Sequence, residues 1–86
     1  NDDIALGLCH ELLAAGVRIP DDVAVVGFDD IPLARWATPS LSSVIQDFDA
    51  LGQASLRLSD ELVEGAPAHS ICLKPQLVVR ASTTKA

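Results

Sequence analysis

Tyrosine is absent from this 86-residue sequence, and phenylalanine and tryptophan supply only two residues and one. The interior must therefore be built from Leu, Val, Ile and Ala. Basic residues are also scarce, at six against twelve acids, which leaves a formal net charge of −6. No basic run occurs anywhere. A nucleic-acid duplex is a dense negative rod, so these residues exclude direct binding to one. The only cysteines, Cys9 and Cys72, lie too far apart in sequence for a metal-ligand spacing or a disulfide framework. They read as buried reduced thiols, which favours a cytoplasmic protein. No apolar run approaches the ~20 residues that span a bilayer, and no signal peptide is visible. Neither a P-loop nor a G-x-G-x-x-G is present. His10 falls on the polar face of a helix and His69 in a Gly/Pro-rich loop, without a nucleophile or metal partner in view. The pattern implies no cofactor, no metal and no enzyme.

What is present alternates between helical and extended patterns. Residues 2–15 read as a helix, with Asn1 as N-cap, Asp2 and Asp3 in the first turn and Gly16 as the stop. Ile4, Ala5, Leu8, Cys9 and Leu12 share a face. Leu6 and Leu13 widen the apolar arc to roughly 200°, so the helix is expected to bury two sides. "RIPDD" is a turn. "VAVVGF", 23–28, is a continuous apolar run and reads as a strand covered on both faces. A connection over 31–42 has room for one helical turn around Leu33–Trp36. A short strand follows at 43–47 and a second helix at 48–64. That helix puts Phe48, Leu51, Leu58, Leu62 and Val63 on one side and charged residues on the other, so it is expected to have one dry face. The tail 70–82 is extended and interrupted by Pro75, as in an edge strand or a bend, and "TTKA" is expected to fray. The fold class is α/β with a parallel sheet and flanking helices. A sheet of this kind normally starts on a strand and uses more strands than these. The sequence therefore reads as the C-terminal fragment of a longer protein, one not expected to be a stable monomer.

Ligands of open α/β sheets bind outside the carboxyl ends of the strands. Asp29 sits at that end of strand 23–28, where a carboxylate can accept from two neighbouring hydroxyls of a sugar or other polyol. It can equally form an Asx-turn. Asp30 reads as the turn former. Asn1 can be a plain cap or a ligand contact, since its amide both donates and accepts. Gln46 precedes the second helix at another strand exit, and Phe48 can be core or an apolar platform for a sugar ring. Asp29 and Asp30 are adjacent, so their side chains diverge. A glycosidase needs two acids that face each other across the scissile bond.

Four motifs stand in order: "ND..A.G", "G..IP.DVAVVGFDD", "P.L..V.QD...LG..A" and "P.LVVR.ST". Each is weak alone. At these spacings they resemble the C-terminal part of the lac/galactose repressor family of bacterial transcription regulators, from Asn1 to about Thr84. The resemblance implies a periplasmic-binding-protein-like domain of two α/β subdomains joined by three crossovers, with the effector in the cleft. Residues 1–45 and about 75–86 would belong to the C-terminal subdomain, and about 46–74 would cross into the N-terminal one. The resemblance places Asn1, Asp29, Gln46 and Phe48 at the effector, with Leu51 lining the same region. It places Leu6 at a dimer contact, with Leu13, Leu33, Trp36 and Ala37 as further contributors. The family's helix-turn-helix has no counterpart here, so operator DNA would be bound only by a region outside this sequence.

The resulting expectation is an effector-sensing and dimerising segment of a DNA-binding regulator. The effector would be a sugar or a purine-like molecule acting by population shift. The alternative is a periplasmic sugar-binding receptor of a transporter with the same fold.

Overall fold

The first helix starts on a side chain. In the computed structural model, which describes residues 1–84, Asn1 Oδ1 accepts a hydrogen bond from the Ile4 amide at 3.0 Å. Helix α1 then runs Asp2–Ala14. Gly16 ends it at φ 82°, a conformation that costs glycine nothing. The remaining elements are β1 (Val26–Phe28), α2 (Pro32–Trp36), β2 (Ser42–Ile45), α3 (Phe48–Val63) and β3 (Gln76–Val78). Pro32 opens α2, where a missing amide hydrogen goes unnoticed. In the "RIPDD" turn, Arg18 donates to Asp22 through Nη2 at 2.7 Å and Nε at 3.1 Å. That contact holds the Asp22 carboxyl below its ordinary pKa.

The chain divides into two compact units, Asn1–Ile45 with the segment from Gln76 onward, and Gln46–Pro75. In the first, the sheet order is β1-β2-β3. β1 and β2 are parallel, with Gly27 opposite Ser43. β3 is antiparallel to β2, which makes the sheet mixed rather than parallel. The reason lies in the register: β2 leaves at Ile45 and β3 enters opposite it at Gln76, so β3 must run back. Ala5, Cys9, Val25, Ala34 and Leu41 form the buried core, with Leu6, Leu12, Ile19 and Ile31 packed against it.

Beneath α1 lies a buried charge. Asp2 is 0 % exposed. Its Oδ2 accepts from the Ile31 amide at 2.8 Å, and its Oδ1 accepts from Ser43 Oγ at 2.6 Å. A carboxylate is costly to bury, and hydrogen bonds to it are correspondingly strong. Gly27 makes room for it. A Cβ at Gly27 would overlap Asp2 Oδ1 and come within 2.9 Å of Leu41 Cδ2.

The C-terminal segment is stitched to the sheet by hydroxyls. Ser82 Oγ accepts from the Ser42 amide at 2.8 Å and donates to the Val25 carbonyl at 2.6 Å. Ser42 Oγ accepts from the Arg80 amide at 2.7 Å and lies 2.6 Å from Thr83 Oγ1. Thr84 Oγ1 donates to the Arg80 carbonyl at 2.8 Å. Fraying therefore does not begin at Thr83 or Thr84. Lys85 and Ala86 lie outside the described residues.

The second unit is built on α3. Asp47 caps it, with Oδ1 accepting from the Ala50 amide at 2.9 Å. Gly65 follows the helix at φ 88°. His69 Nε2 meets Glu61 Oε2 at 2.7 Å and ties the following loop to the helix.

Several expectations need correction, and four of them share one cause. β1 covers only 26–28 and is not covered on both faces, because Val26 and Phe28 are exposed. α1 buries one side, through Asp2, Ala5 and Cys9, while Ile4, Leu8 and Leu13 are exposed. The apolar face of α3 is not dry, since Phe48, Leu51, Leu62 and Val63 are all exposed. The two thiols are not both buried, as Cys72 is exposed. Periodicity, or for Cys72 the usual burial of a free thiol, names the side expected inside, but burial also needs a partner surface. Among the described residues that partner is missing.

Two outcomes follow. In the intact protein, Gly27→Ala is expected to cost about 3 kcal/mol of stability, the upper range for overpacking, because the buried carboxylate must also move. Chemical denaturation monitored by circular dichroism measures this. Iodoacetamide is expected to label Cys72 well before Cys9, because burial raises the Cys9 thiol pKa and the thiolate is the nucleophile. Peptide mass spectrometry at timed intervals reads the order.

Candidate functional site

The carboxyl end of β1 is where the chain departs from ordinary backbone. Asp29 stands at φ 113° and Asp30 at φ 56°. Both values lie in a region that side-chain-bearing residues rarely adopt, at a cost of ~1–3 kcal/mol each. Three consecutive amides hold the turn. Asp29 N donates to the Val44 carbonyl at 2.8 Å. Asp30 N donates to Ser43 Oγ at 3.0 Å. Ile31 N donates to Asp2 Oδ2 at 2.8 Å.

The two aspartates then part company. Asp30 forms an ion pair with Arg80 Nη1 at 2.6 Å, and the two side chains are only 13 % and 12 % exposed. The same Arg80 nitrogen donates to the Leu41 carbonyl at 2.8 Å. Asp30 is thus a turn former, as read from the sequence, and also the anchor of a buried ion pair. The half-buried Asp29 carboxylate takes no hydrogen bond from any described residue. It is a carboxylate on a constrained backbone with both oxygens available.

Asn1 is exposed and spends its side-chain oxygen on the Ile4 amide, which leaves its NH₂ as a donor. The Asp2–Ile31 bond joins the residue after Asn1 to the residue two beyond Asp29, so it draws these two candidates towards one end of the sheet. The other candidates belong to the second unit. Gln46 and Leu51 line a hollow of about 110 Å³ together with Asp47, Leu73, Lys74 and Pro75. Phe48 is exposed. In the first unit, Leu6, Leu13 and Ala37 line one groove of about 400 Å³. Leu33 and Trp36 project from α2, with Trp36 76 % exposed.

Sequence reasoning missed Asp2, Ser43 and Arg80. Asp2 reads as an ordinary first-turn acid, although it is fully buried. One signal was available: a glycine inside a strand marks a close approach, and Gly27 is that glycine.

Residues 1–83 match the family described as periplasmic binding protein-like domain. The chain is 43% identical over 88 residues to the HTH-type transcriptional regulator MalR of Streptomyces coelicolor, covering 100% of this chain and 26% of that protein. The chain belongs to the lac/galactose repressor family. The lac repressor dimer bound to operator and the anti-inducer ONPF superposes with a TM-score of 0.87 at 34% identity, over 99% of this chain and 30% of that one. A LacI family transcriptional regulator from Arthrobacter sp. FB24, in complex with lactose, gives 0.77 at 37% identity, over 98% of this chain and 33% of that one. The chain spans about a quarter of the length of MalR and of the HTH-type transcriptional repressor PurR of Mannheimia succiniciproducens. The family members named here are transcriptional regulators rather than enzymes or transport receptors. Among the described residues there is no metal-binding cluster of His, Cys, Asp or Glu, and no helix long and apolar enough to cross a membrane.

The Asp30–Arg80 pair makes a prediction. Arg80→Met is expected to cost about 3 kcal/mol, because it strands a nearly buried carboxylate. Asp30→Asn should cost less, since the amide oxygen can still accept from Arg80. Urea denaturation of both variants of the intact protein measures the difference.

Proposed function

We propose that this chain is the effector-sensing and dimerising segment of a cytoplasmic, DNA-binding repressor. One observation carries the reading: Asp29, at the carboxyl end of parallel strand β1, is held at φ 113° with its carboxylate unengaged among the described residues. Nearby carboxylates are used. Asp2 accepts two hydrogen bonds and Asp30 is paired with arginine. Strained backbone at a carboxylate without a structural partner, at the carboxyl end of a strand, supports a ligand contact there.

The effector is a polyhydroxylated molecule, preferably a sugar. Asp29 accepts from its hydroxyls, and the free NH₂ of Asn1 donates to it. Gln46, Phe48 and Leu51, on the second unit, are the further polar and apolar contacts that the family resemblance assigns to the effector. The lactose bound to the Arthrobacter protein supports the sugar preference. Leu6, Leu13, Leu33, Trp36 and Ala37 are assigned to a homodimer contact. The shared groove of Leu6, Leu13 and Ala37 and the exposure of Leu33 and Trp36 support this. Effector binding would favour one arrangement of the domain over another and so bias operator binding by residues outside this chain. With a net charge of −6, this segment is not the operator-binding surface.

A thermal-shift panel of lactose, maltose, galactose, adenine and hypoxanthine on the intact protein tests the reading. At least one sugar is expected to raise the melting temperature. Asp29→Ala is expected to abolish that shift while sedimentation still shows a dimer. A shift from a purine and none from a sugar would overturn the sugar preference. Silence across the panel, or an unchanged shift in Asp29→Ala, would overturn the assignment of the site.

A further inference from the structure

We propose that the buried Asp2 is a positioning residue for the effector site, acting on Asp29 through Ser43 and the Ile31 amide. The inference rests on the effector assignment of Asp29 made above.

The argument starts from the turn. Asp29 and Asp30 both hold positive φ, and neither is a glycine. Such a conformation relaxes unless its surroundings over-determine it. Of the three amides that pin the turn, only that of Asp29 bonds to ordinary strand backbone. The Asp30 amide bonds to Ser43 Oγ, and the Ile31 amide bonds to Asp2 Oδ2. Ser43 Oγ in turn spends its own proton on Asp2 Oδ1. One carboxylate therefore holds two successive amides, one directly and one through a hydroxyl.

Both backbone amides can only donate. Ser43 Oγ accepts from Asp30 N and donates to Asp2 Oδ1, and Asp2 Oδ2 accepts from Ile31 N, so Asp2 accepts on both oxygens. The side-chain amide of an asparagine would offer one oxygen fewer. Gly27 admits the carboxylate against β1, and its register partner is Ser43. Asp2 never needs to touch the effector. It sets the direction in which the Asp29 carboxylate leaves the strand, and it joins that turn to the residue beside Asn1.

The neighbouring serine provides a control. Ser42 is as fully buried as Ser43 and is also hydrogen-bonded, but its bonds go to Arg80 and Thr83. Successive strand residues face opposite ways. A loss at Ser42 weakens the sheet without loosening the Asp2–Ser43 relay.

The experiment is isothermal titration of the intact protein with the panel compound that gives the largest thermal shift. Melting temperatures and hydrogen exchange of the peptide spanning residues 27–33 are measured alongside. Ser43→Ala and Asp2→Asn are expected to weaken Kd on the order of tenfold, the scale of one lost hydrogen bond to a charged group. Exchange over 27–33 should rise in both. Ser43→Thr keeps the hydroxyl and should recover most of the affinity. Ser42→Ala should lower the melting temperature by a similar amount and leave Kd within about twofold. Wild-type Kd in folded Ser43→Ala would overturn the proposal, as would an equal loss in Ser42→Ala, which would show a general effect of stability. Should Asp2→Asn fail to fold, the serine variants decide the matter. If Asp29→Ala abolishes binding while Ser43→Ala leaves Kd at the wild-type value, the positioning role fails and the effector site stands. If Asp29→Ala binds normally or no panel compound binds, the effector assignment fails and this inference falls with it.

Discussion

A carboxylate with no access to water sits where the first helix meets the sheet, and the local architecture is arranged around it. Asp2 accepts from Ile31 N and Ser43 Oγ, so α1, the turn after β1 and the middle strand meet at one side chain. Its burial sets conditions on neighbours. The residue across from Ser43 must be glycine, because a Cβ at Gly27 would overlap Asp2 Oδ1. Ser43 must be a hydroxyl, because it relays the contact to Asp30 N. Both aspartates after Phe28 can then occupy backbone conformations that would otherwise relax.

A second polar layer works on other partners. Ser42, Ser82, Thr83 and Arg80 bind the C-terminal segment across β2, and Arg80 closes on Asp30. The apolar core is small, with Ala5, Cys9, Val25, Ala34 and Leu41 at its centre. In this unit, hydrogen bonds specify geometry that the modest core could not fix alone. Hydrophobic burial is non-directional and sets no angles, whereas charge-assisted hydrogen bonds do. Asp2 and Ser43 apply directional hydrogen bonds at the turn after β1, and Ser42 and Ser82 apply them where β1 begins.

The exposed apolar faces belong to the same picture. Val26 and Phe28 on β1, Ile4 and Leu8 on α1, and Phe48, Leu62 and Val63 on α3 are all open. The chain covers 30% of the lac repressor chain it superposes on. A segment of that extent presents surfaces whose partners are not among its own residues.

Much of this was legible in the residues. Asn1 and Gly16 bound α1 as their chemistry requires, α3 begins at Phe48 as its pattern implies, and Pro75 stands just before an edge strand. These are local effects, settled within a few residues of backbone. The family resemblance was equally legible, because spaced motifs survive as text. The direction of β3, the exposure of Cys72 and the bare face of α3 were not. Each depends on which surface arrives from elsewhere. The burial of Asp2 was the least legible of all. An aspartate in a first helical turn is ordinarily a solvated partner of the helix dipole. It becomes a buried hub here because Ile31 and Ser43, 29 and 41 residues away, supply donors at 2.8 and 2.6 Å. Sequence periodicity reports the preference of a residue for its own turn or strand. It carries no record of donors brought in by the fold, and those donors separate the structural Asp2 and Asp30 from the unengaged Asp29.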